Sequence, residues 1–212
     1  MEIAFLLFDG ITHLDAVGPY AVLQNLPEAD VKFVAKQTGT YRDKSGMLGV
    51  EADYTLAQVP HPDILVVPGG GGADAAAEDA DVTDWVAQCH QSSRWTTSVC
   101  TGALILGGAG VLKGLPATTH WRAMQALADK YSATPTTERV VRDGKVITAA
   151  GVSSGIDMAL TLAALEAGDE VAKTIQLGIE YAPEPPFDAG DFTTAPADRV
   201  ERWRAGLNKI KR

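Results

Sequence analysis

Cysteine, long apolar runs and positive charge are all scarce in this chain of 212 residues. Its two cysteines, Cys89 and Cys100, can close at most one internal bridge, which excludes a disulfide-stapled miniprotein and favours free thiols in a reducing cytoplasm. No window approaches the roughly 18 consecutive apolar residues that a membrane-spanning helix needs. The N-terminal apolar run is short and has no basic leader, so we expect a strand there rather than a signal peptide, and a soluble cytoplasmic protein.

The charge balance also limits the choice of partners. Lysine and arginine number 18 against 27 aspartates and glutamates, which gives a formal net charge of −9. An acidic surface repels phosphates, so nucleic acid and anionic membranes are not expected to be partners. With 46% hydrophobic and 21% charged residues, the chain has the composition of a folded globular protein.

Short apolar runs alternate with longer segments of helical periodicity. This pattern predicts an α/β fold, with a mostly parallel sheet sandwiched between helices. The predicted strands lie at 2–8, 31–35, 63–67, 95–99, 117–119, 138–142 and 145–149. The predicted helices lie at 15–25, 73–92, 101–112, 120–131, 153–167, 169–181 and 196–208. Asp143-Gly144 is a hairpin signal, so the last two strands should pair antiparallel. We expect one domain over 1–212, in which 182–212 forms a C-terminal wrap and helix.

Cys100 lies where a β-rich run meets a segment of helical periodicity. A sharp strand-to-helix turn lifts one side chain above the carboxyl edge of a sheet, as α/β hydrolases do with their nucleophile. The unpaired amides and the dipole of the following helix are expected to favour the thiolate. Cysteine is also among the most buried residue types, so plain packing is the alternative for Cys100 and the preferred interpretation for Cys89.

Two further segments are expected to reach the same edge. A buried strand runs into four glycines at 69–72, and without a Cβ the Gly70 amide can approach a bound group closely. Paired with the Thr101 amide, it could form an oxyanion-type pocket over Cys100. Asp15 follows the first strand at the start of a helix. Its carboxyl either serves as proton donor and acceptor for chemistry on sulfur or caps the helix.

His120 is the best placed of the four histidines, because it ends the predicted strand 117–119. It either lines the crevice or forms a hydrogen bond in the core. His13, His61 and His90 are expected in loops or on polar faces. No grouping of Cys, His, Asp and Glu has the spacing of zinc ligands, so we predict no metal site.

These motifs resemble the DJ-1/PfpI superfamily over nearly the whole chain. The blocks shared across that superfamily are VPGG at 67–70, VCTGA at 99–103 and ATTHW at 117–121. The segments that look most like the isonitrile hydratase subgroup are FDG at 8–10 with LD at 14–15 and GP at 18–19, GVSSGID at 151–157, and QLGIEYAPEPPF at 176–187. The resemblance implies a flavodoxin-like α/β domain with the cysteine at a nucleophile elbow.

The resemblance also implies an activity, the hydration of an isonitrile to an N-substituted formamide without a cofactor. The Cys100 thiolate would attack the terminal carbon while Asp15 acts as general acid and base, giving a thioimidate that water opens. Thr101 would orient Asp15 or the water, and the Gly70 and Thr101 amides would hold polar atoms of the adduct. The implied partners are a small-molecule isonitrile and a second copy of the chain, as a homodimer.

Other branches of the superfamily suggest different functions. Its peptidases place a His directly after the nucleophile, where this chain has Thr101, so a Cys-His triad would need His120 to turn toward the thiol. Its transcription regulators carry a further helix-turn-helix region, which we do not expect here. Three alternatives stay open: a glyoxalase-like enzyme acting on small dicarbonyls, a non-catalytic redox sensor oxidised at Cys100, and a small-molecule binding module.

Overall fold

The structure, a computed structural model, describes residues 1–206. The chain divides into two compact units, Met1–Glu180 and Tyr181–Arg212. The second unit contains the helix Ala197–Ala205, at the position of the predicted helix 196–208, whose last residues lie outside the described part. The single domain predicted over 1–212 stays a prediction.

The first unit is built on a seven-stranded sheet. The strands of the described residues are β1 (Glu2–Leu6), β2 (Asp30–Ala35), β3 (Gly39–Arg42), β4 (Gly49–Ala52), β5 (Tyr54–Thr55), β6 (Ile64–Val67), β7 (Trp95–Val99), β8 (Pro116–Ala117), β9 (Thr134–Pro135), β10 (Val140–Asp143) and β11 (Val146–Ala149). The main sheet has the order β10-β11-β7-β6-β1-β2-β5. Its strands pair in parallel except β10 and β11, which form the antiparallel hairpin expected from Asp143-Gly144.

Helices cover this sheet in two groups. The helices of the described residues are α1 (His13–Leu23), α2 (Ala73–Glu78), α3 (Ala80–Ser92), α4 (Gly102–Gly108), α5 (Met124–Tyr131), α6 (Ser154–Ala167), α7 (Asp169–Gly178) and α8 (Ala197–Ala205). In the first unit, α1, α6 and α7 pack together, and α2 to α5 form the other group. All four residues of β6 are buried, which is why this strand has a continuous apolar sequence instead of an alternating one. No helix within residues 1–206 combines the length and hydropathy that crossing a membrane requires.

The parallel register decides where the candidate site lies. In β6 and β7, Val67 pairs with Ser98, and in β7 and β11, Val99 pairs with Ala149. The carboxyl ends of these strands therefore meet at one edge of the sheet. In parallel α/β sheets this edge is where ligands bind, because the loops that follow the strands converge there.

Several elements differ from the prediction. The antiparallel pair β3 and β4 was not predicted, because its residues are mostly half-buried or exposed and lack an apolar pattern. The predicted helix 73–92 breaks at Asp79, whose carboxylate accepts the Asp81 amide and starts a new helix. The predicted strand 117–119 ends at Ala117 and pairs with β9, outside the main sheet. It does not continue because the Thr118 amide donates to the side-chain hydroxyl of Thr148 instead of to a backbone carbonyl of a neighbouring strand.

Candidate active site

Cys100 occupies a strained backbone position directly after β7. Its φ of 57° lies in the left-handed region, which costs a residue with a Cβ roughly 1–2 kcal/mol. Hydrogen bonds hold both polar backbone groups: the amide donates to the Ala149 carbonyl at 3.0 Å, and the carbonyl accepts from the Thr119 Oγ1 at 2.8 Å. Strain of this kind persists only where surrounding structure enforces it, and it concentrates at functional sites. The thiol therefore stands on a nucleophile elbow.

The carboxyl of Asp15 lies against this thiol. Asp15 is the third residue of α1 and is fully buried, with 0% of its surface exposed. Its Oδ2 accepts the Gly69 amide at 3.0 Å, and its carboxyl is near enough to the Cys100 thiol that each group affects the pKa of the other. No nitrogen or hydroxyl of residues 1–206 donates to Oδ1. Asp15 thus does not cap its helix, and the structure brings it together with Cys100 although the two are far apart in the chain.

Burial changes the proton affinity of both groups. It raises the pKa of Asp15 from 3.8 to about 7, against the opposing effect of the hydrogen bonds from Gly69 and Cys100. Burial and the nearby Asp15 charge raise the pKa of the Cys100 thiol to about 12, and hydrogen bonds from Thr101 only partly offset this. The Thr101 amide at the start of the helix does favour the thiolate, as expected, but burial and the Asp15 charge outweigh it. Burial thus favours the neutral form of both groups, and the Asp15 charge further disfavours the thiolate.

The glycine loop after β6 is tied to the elbow by Thr101. The Gly70 amide donates to the Thr101 Oγ1 at 2.8 Å, and that hydroxyl donates to the Gly70 carbonyl at 3.1 Å. Because its one amide hydrogen is used here, Gly70 does not form the predicted pocket with the Thr101 amide. The Thr101 amide instead lies beside the Cys100 sulfur, where it lowers the pKa of the thiol.

Gly69 is a site residue that the sequence analysis missed. Its amide reaches Asp15, and a Cβ at Gly69 would lie 2.5 Å from the Thr101 amide nitrogen, closer than real Cβ atoms come. Only glycine therefore fits between the elbow and the carboxyl. The VPGG block was the available signal, but the close approach was expected one residue later, at Gly70.

The histidines take no part in the thiol–carboxyl pair. His120 precedes a short 3-10 helix, where its Nδ1 accepts the Arg122 amide at 3.3 Å and its ring lies 5.4 Å from that of Trp121. Burial lowers the pKa of His120. His13 was expected in a loop or on a polar face. Instead it is the first residue of α1, only 4% exposed, with Nε2 3.2 Å from the Tyr41 carbonyl oxygen. Within residues 1–206, no three His, Cys, Asp or Glu side chains are grouped to hold a metal ion.

The buried carboxyl predicts a stability effect of Asp15→Asn. Because the folded protein holds the Asp15 proton up to about pH 7 while the unfolded chain releases it near 3.8, folding binds a proton in this window and stability falls as pH rises through it. At about 1.4 kcal/mol per pH unit, the loss in the free energy of unfolding reaches on the order of 4 kcal/mol.

Asparagine carries no charge and keeps a side-chain oxygen that accepts the Gly69 amide. Denaturant titrations from pH 4 to pH 8 should therefore show the variant gaining stability over the parent as pH rises, and no gain at pH 4. A gain that is largest at acid pH would contradict this account.

A cysteine on a left-handed turn between a parallel strand and a helix, with a buried acid against its sulfur, defines an α/β protein of the nucleophile-elbow class. Residues 1–165 match the DJ-1/PfpI family, and the chain belongs to that family. The isonitrile hydratase of Pseudomonas putida is 43% identical over 204 residues, which are 96% of this chain and 89% of that protein.

Solved structures agree with the fold. The crystal structure of a THiJ/PfpI family protein from Pseudomonas syringae is similar with a TM-score of 0.91 and 39% identity, covering 98% of this chain and 86% of that one. The crystal structure of Drosophila melanogaster DJ-1beta has a TM-score of 0.76 and 25% identity, covering 86% of this chain and 98% of that one. The predicted fold class is thus confirmed.

Proposed function

We propose that the protein is an enzyme that hydrates isonitriles, R–N≡C, to N-substituted formamides. The observation that carries this proposal is the contact between a fully buried carboxyl and the thiol of the elbow. The terminal carbon of an isonitrile must receive both a proton and a nucleophile, and Asp15 and Cys100 can deliver both to one atom. The 43% identity to the Pseudomonas putida isonitrile hydratase over nearly the whole chain supports the same chemistry.

The first step forms a covalent adduct. The thiol keeps its proton at neutral pH, because burial and the Asp15 charge raise its pKa to about 12. Asp15 takes this proton as the sulfur bonds to the terminal carbon, and it then delivers the proton to the same carbon. The product is a thioimidate, R–N=CH–S, attached to Cys100. Thiol hydrogen and sulfur have both added to one carbon, and Asp15 is again a carboxylate.

The second step releases the formamide. The Asp15 carboxylate removes a proton from water as the water oxygen attacks the thioimidate carbon, and Asp15 then passes this proton to the nitrogen and is again a carboxylate. The tetrahedral adduct, R–NH–CH(OH)–S, then loses its carbon–sulfur bond as the carbonyl forms, and the hydroxyl proton returns to sulfur. The sum is one isonitrile and one water consumed and one formamide released, with the thiol restored.

Thr101 has two tasks in this scheme. Its hydroxyl ties the glycine loop to the elbow through both polar backbone groups of Gly70. Its amide lowers the pKa of the Cys100 thiol and so stabilises negative charge as the thiol proton leaves. Gly70 then acts by holding Thr101, and His120 has no proton-transfer role in this scheme.

The direct test follows the isonitrile stretch by infrared spectroscopy in the presence of purified protein. Cyclohexyl isocyanide should disappear with a matching appearance of N-cyclohexylformamide, identified by mass spectrometry. Methylglyoxal is run in parallel, because a glyoxalase-like enzyme would consume that substrate instead. Loss of methylglyoxal without loss of the isonitrile would overturn the proposal.

We also propose that the protein is a homodimer, as the family resemblance implies. Leu14 and Val17 lie three residues apart on α1, and 44% and 36% of their surfaces are exposed. Side chains at this spacing are neighbours on a helix surface, so they present one apolar face that a second copy would cover. Sedimentation velocity should give twice the 22.3 kDa of one chain, and Leu14→Glu should shift the protein to monomer. A wild-type monomer at micromolar concentration would contradict the proposal.

A further inference from the structure

Thr119 is the side chain that holds the backbone of the nucleophile. Its Oγ1 donates to the Cys100 carbonyl at 2.8 Å, and the threonine is buried, with 1% of its surface exposed. The same carbonyl also accepts the Ala103 amide, at 3.5 Å. That distance exceeds the 2.7–3.2 Å usual for such bonds, so the Thr119 hydroxyl is the stronger of the two partners.

The position of this bond matters because Cys100 is strained. A left-handed φ of 57° in a residue with a Cβ relaxes unless the peptide groups on both sides are held. The Ala149 carbonyl holds the amide side, and Thr119 holds the carbonyl side. If this φ relaxed, the carbonyl group and Cβ would turn together about the N–Cα bond, and Sγ would move away from Asp15.

Thr119 is itself anchored. The preceding residue, Thr118, is fully buried, and its amide donates to the Thr148 hydroxyl at 2.9 Å. Thr148 pairs with Ser98, two residues before the nucleophile, so the segment that carries Thr119 is fixed to β11 beside the end of β7. The hydroxyl of Thr118, by contrast, has no hydrogen-bond partner among the described residues.

We propose that Thr119 is a positioning residue, whose hydroxyl keeps Cys100 in the left-handed conformation and so keeps its sulfur beside Asp15. The proposal rests on the proposed function only for its kinetic consequence. Its conformational consequence concerns the thiol alone and can be measured without any isonitrile.

The test compares Thr119→Val with Thr118→Val. Both changes remove one buried hydroxyl from adjacent threonines, yet only the Thr119 hydroxyl is hydrogen-bonded. For Thr119→Val we expect kcat for isonitrile hydration to fall about tenfold, equivalent to ~1.4 kcal/mol, with KM changed less than about twofold. Thr118→Val should keep both constants, and Thr119→Ser, which restores the hydroxyl, should recover most of kcat.

A second readout is the rate of Cys100 alkylation by iodoacetamide as a function of pH, measured by mass spectrometry. Cys89, with 0% of its surface exposed, serves as the internal reference. When the sulfur moves away from the Asp15 charge, the midpoint of the alkylation profile should shift to lower pH in Thr119→Val and stay in place in Thr118→Val. If the proposed function fails, no variant turns over isonitrile, yet this profile still separates the two variants.

Two results would overturn the inference. One is a Thr119→Val protein with the kcat and the alkylation profile of the parent. The other is an equal loss in both valine variants, because packing rather than the hydrogen bond would then be responsible. If Thr119→Val does not fold, Thr119→Ala is compared with Thr118→Ala under the same criteria.

Discussion

Replacing Cys100 by alanine is expected to lower the rate of isonitrile hydration by at least about 10³-fold, because the covalent route through the thioimidate is then closed. Cys100→Ser is expected to be almost as inactive, since a hydroxyl in the same buried position is a far weaker nucleophile than a thiol. Both variants are measured by loss of the isonitrile stretch in the infrared. Mass spectrometry of the parent, quenched during turnover, should show an adduct of substrate mass on the peptide that contains Cys100.

Cys89 supplies a matched control within the same chain. It lies in α3, is also fully buried, and its Sγ is 3.7 Å from the Pro60 carbonyl oxygen, so it packs as the sequence predicted. Cys89→Ala should keep the parent rate and lose roughly 1 kcal/mol of stability. A Cys100→Ala protein that still hydrates isonitriles would rule out covalent catalysis through Cys100. Loss of hydration in Cys89→Ala would instead indicate that Cys89 is the nucleophile.

The sheet could be predicted where strands are buried on both faces. All residues of β6 and most of β1 are apolar without interruption. Short continuous apolar runs of this kind are typical of strands buried in a parallel sheet. The β3–β4 pair could not be found in this way. Seven of its eight residues are half-buried or exposed, and one of its contacts is a backbone hydrogen bond from the Gly10 amide to the Arg42 carbonyl, which does not depend on side-chain type.

The residues of the candidate site could be predicted because parallel topology places the ends of β1, β6 and β7 at one edge. The sequence could not show which of the opposing effects on the pKa of the Cys100 thiol is larger. The dipole of the seven-residue helix α4 was expected to favour the thiolate, but burial and the Asp15 charge have the larger effect. The contact from the Thr119 hydroxyl to the Cys100 carbonyl was equally hidden, because it depends on the path of the chain between β8 and α5.

Asp15→Asn is expected to reduce isonitrile hydration by about 10²–10⁴-fold, the usual contribution of a positioned general acid and base. Unfolding cannot account for this loss, because the same change is expected to stabilise the protein at neutral pH. The parent should also show a rate that rises with pH around a midpoint near 7, as Asp15 loses its proton and becomes able to accept that of the thiol. Asparagine cannot accept that proton, so the variant should lose this midpoint. Normal turnover in Asp15→Asn, or the same midpoint without the carboxyl, would remove Asp15 from the mechanism.

The thiol of the same variant should respond in the opposite direction. The Asp15 charge and its hydrogen bond help to raise the pKa of the Cys100 thiol, so removing the carboxylate lowers that pKa and increases the thiolate fraction at neutral pH. Iodoacetamide should therefore alkylate Cys100 faster in Asp15→Asn than in the parent, while isonitrile hydration collapses. Alkylation needs only a thiolate, whereas addition to an isonitrile needs a proton at the carbon that sulfur attacks. A variant that is slower in both reactions would show that Asp15 merely keeps the site folded, and faster alkylation with lost hydration would identify it as the proton carrier.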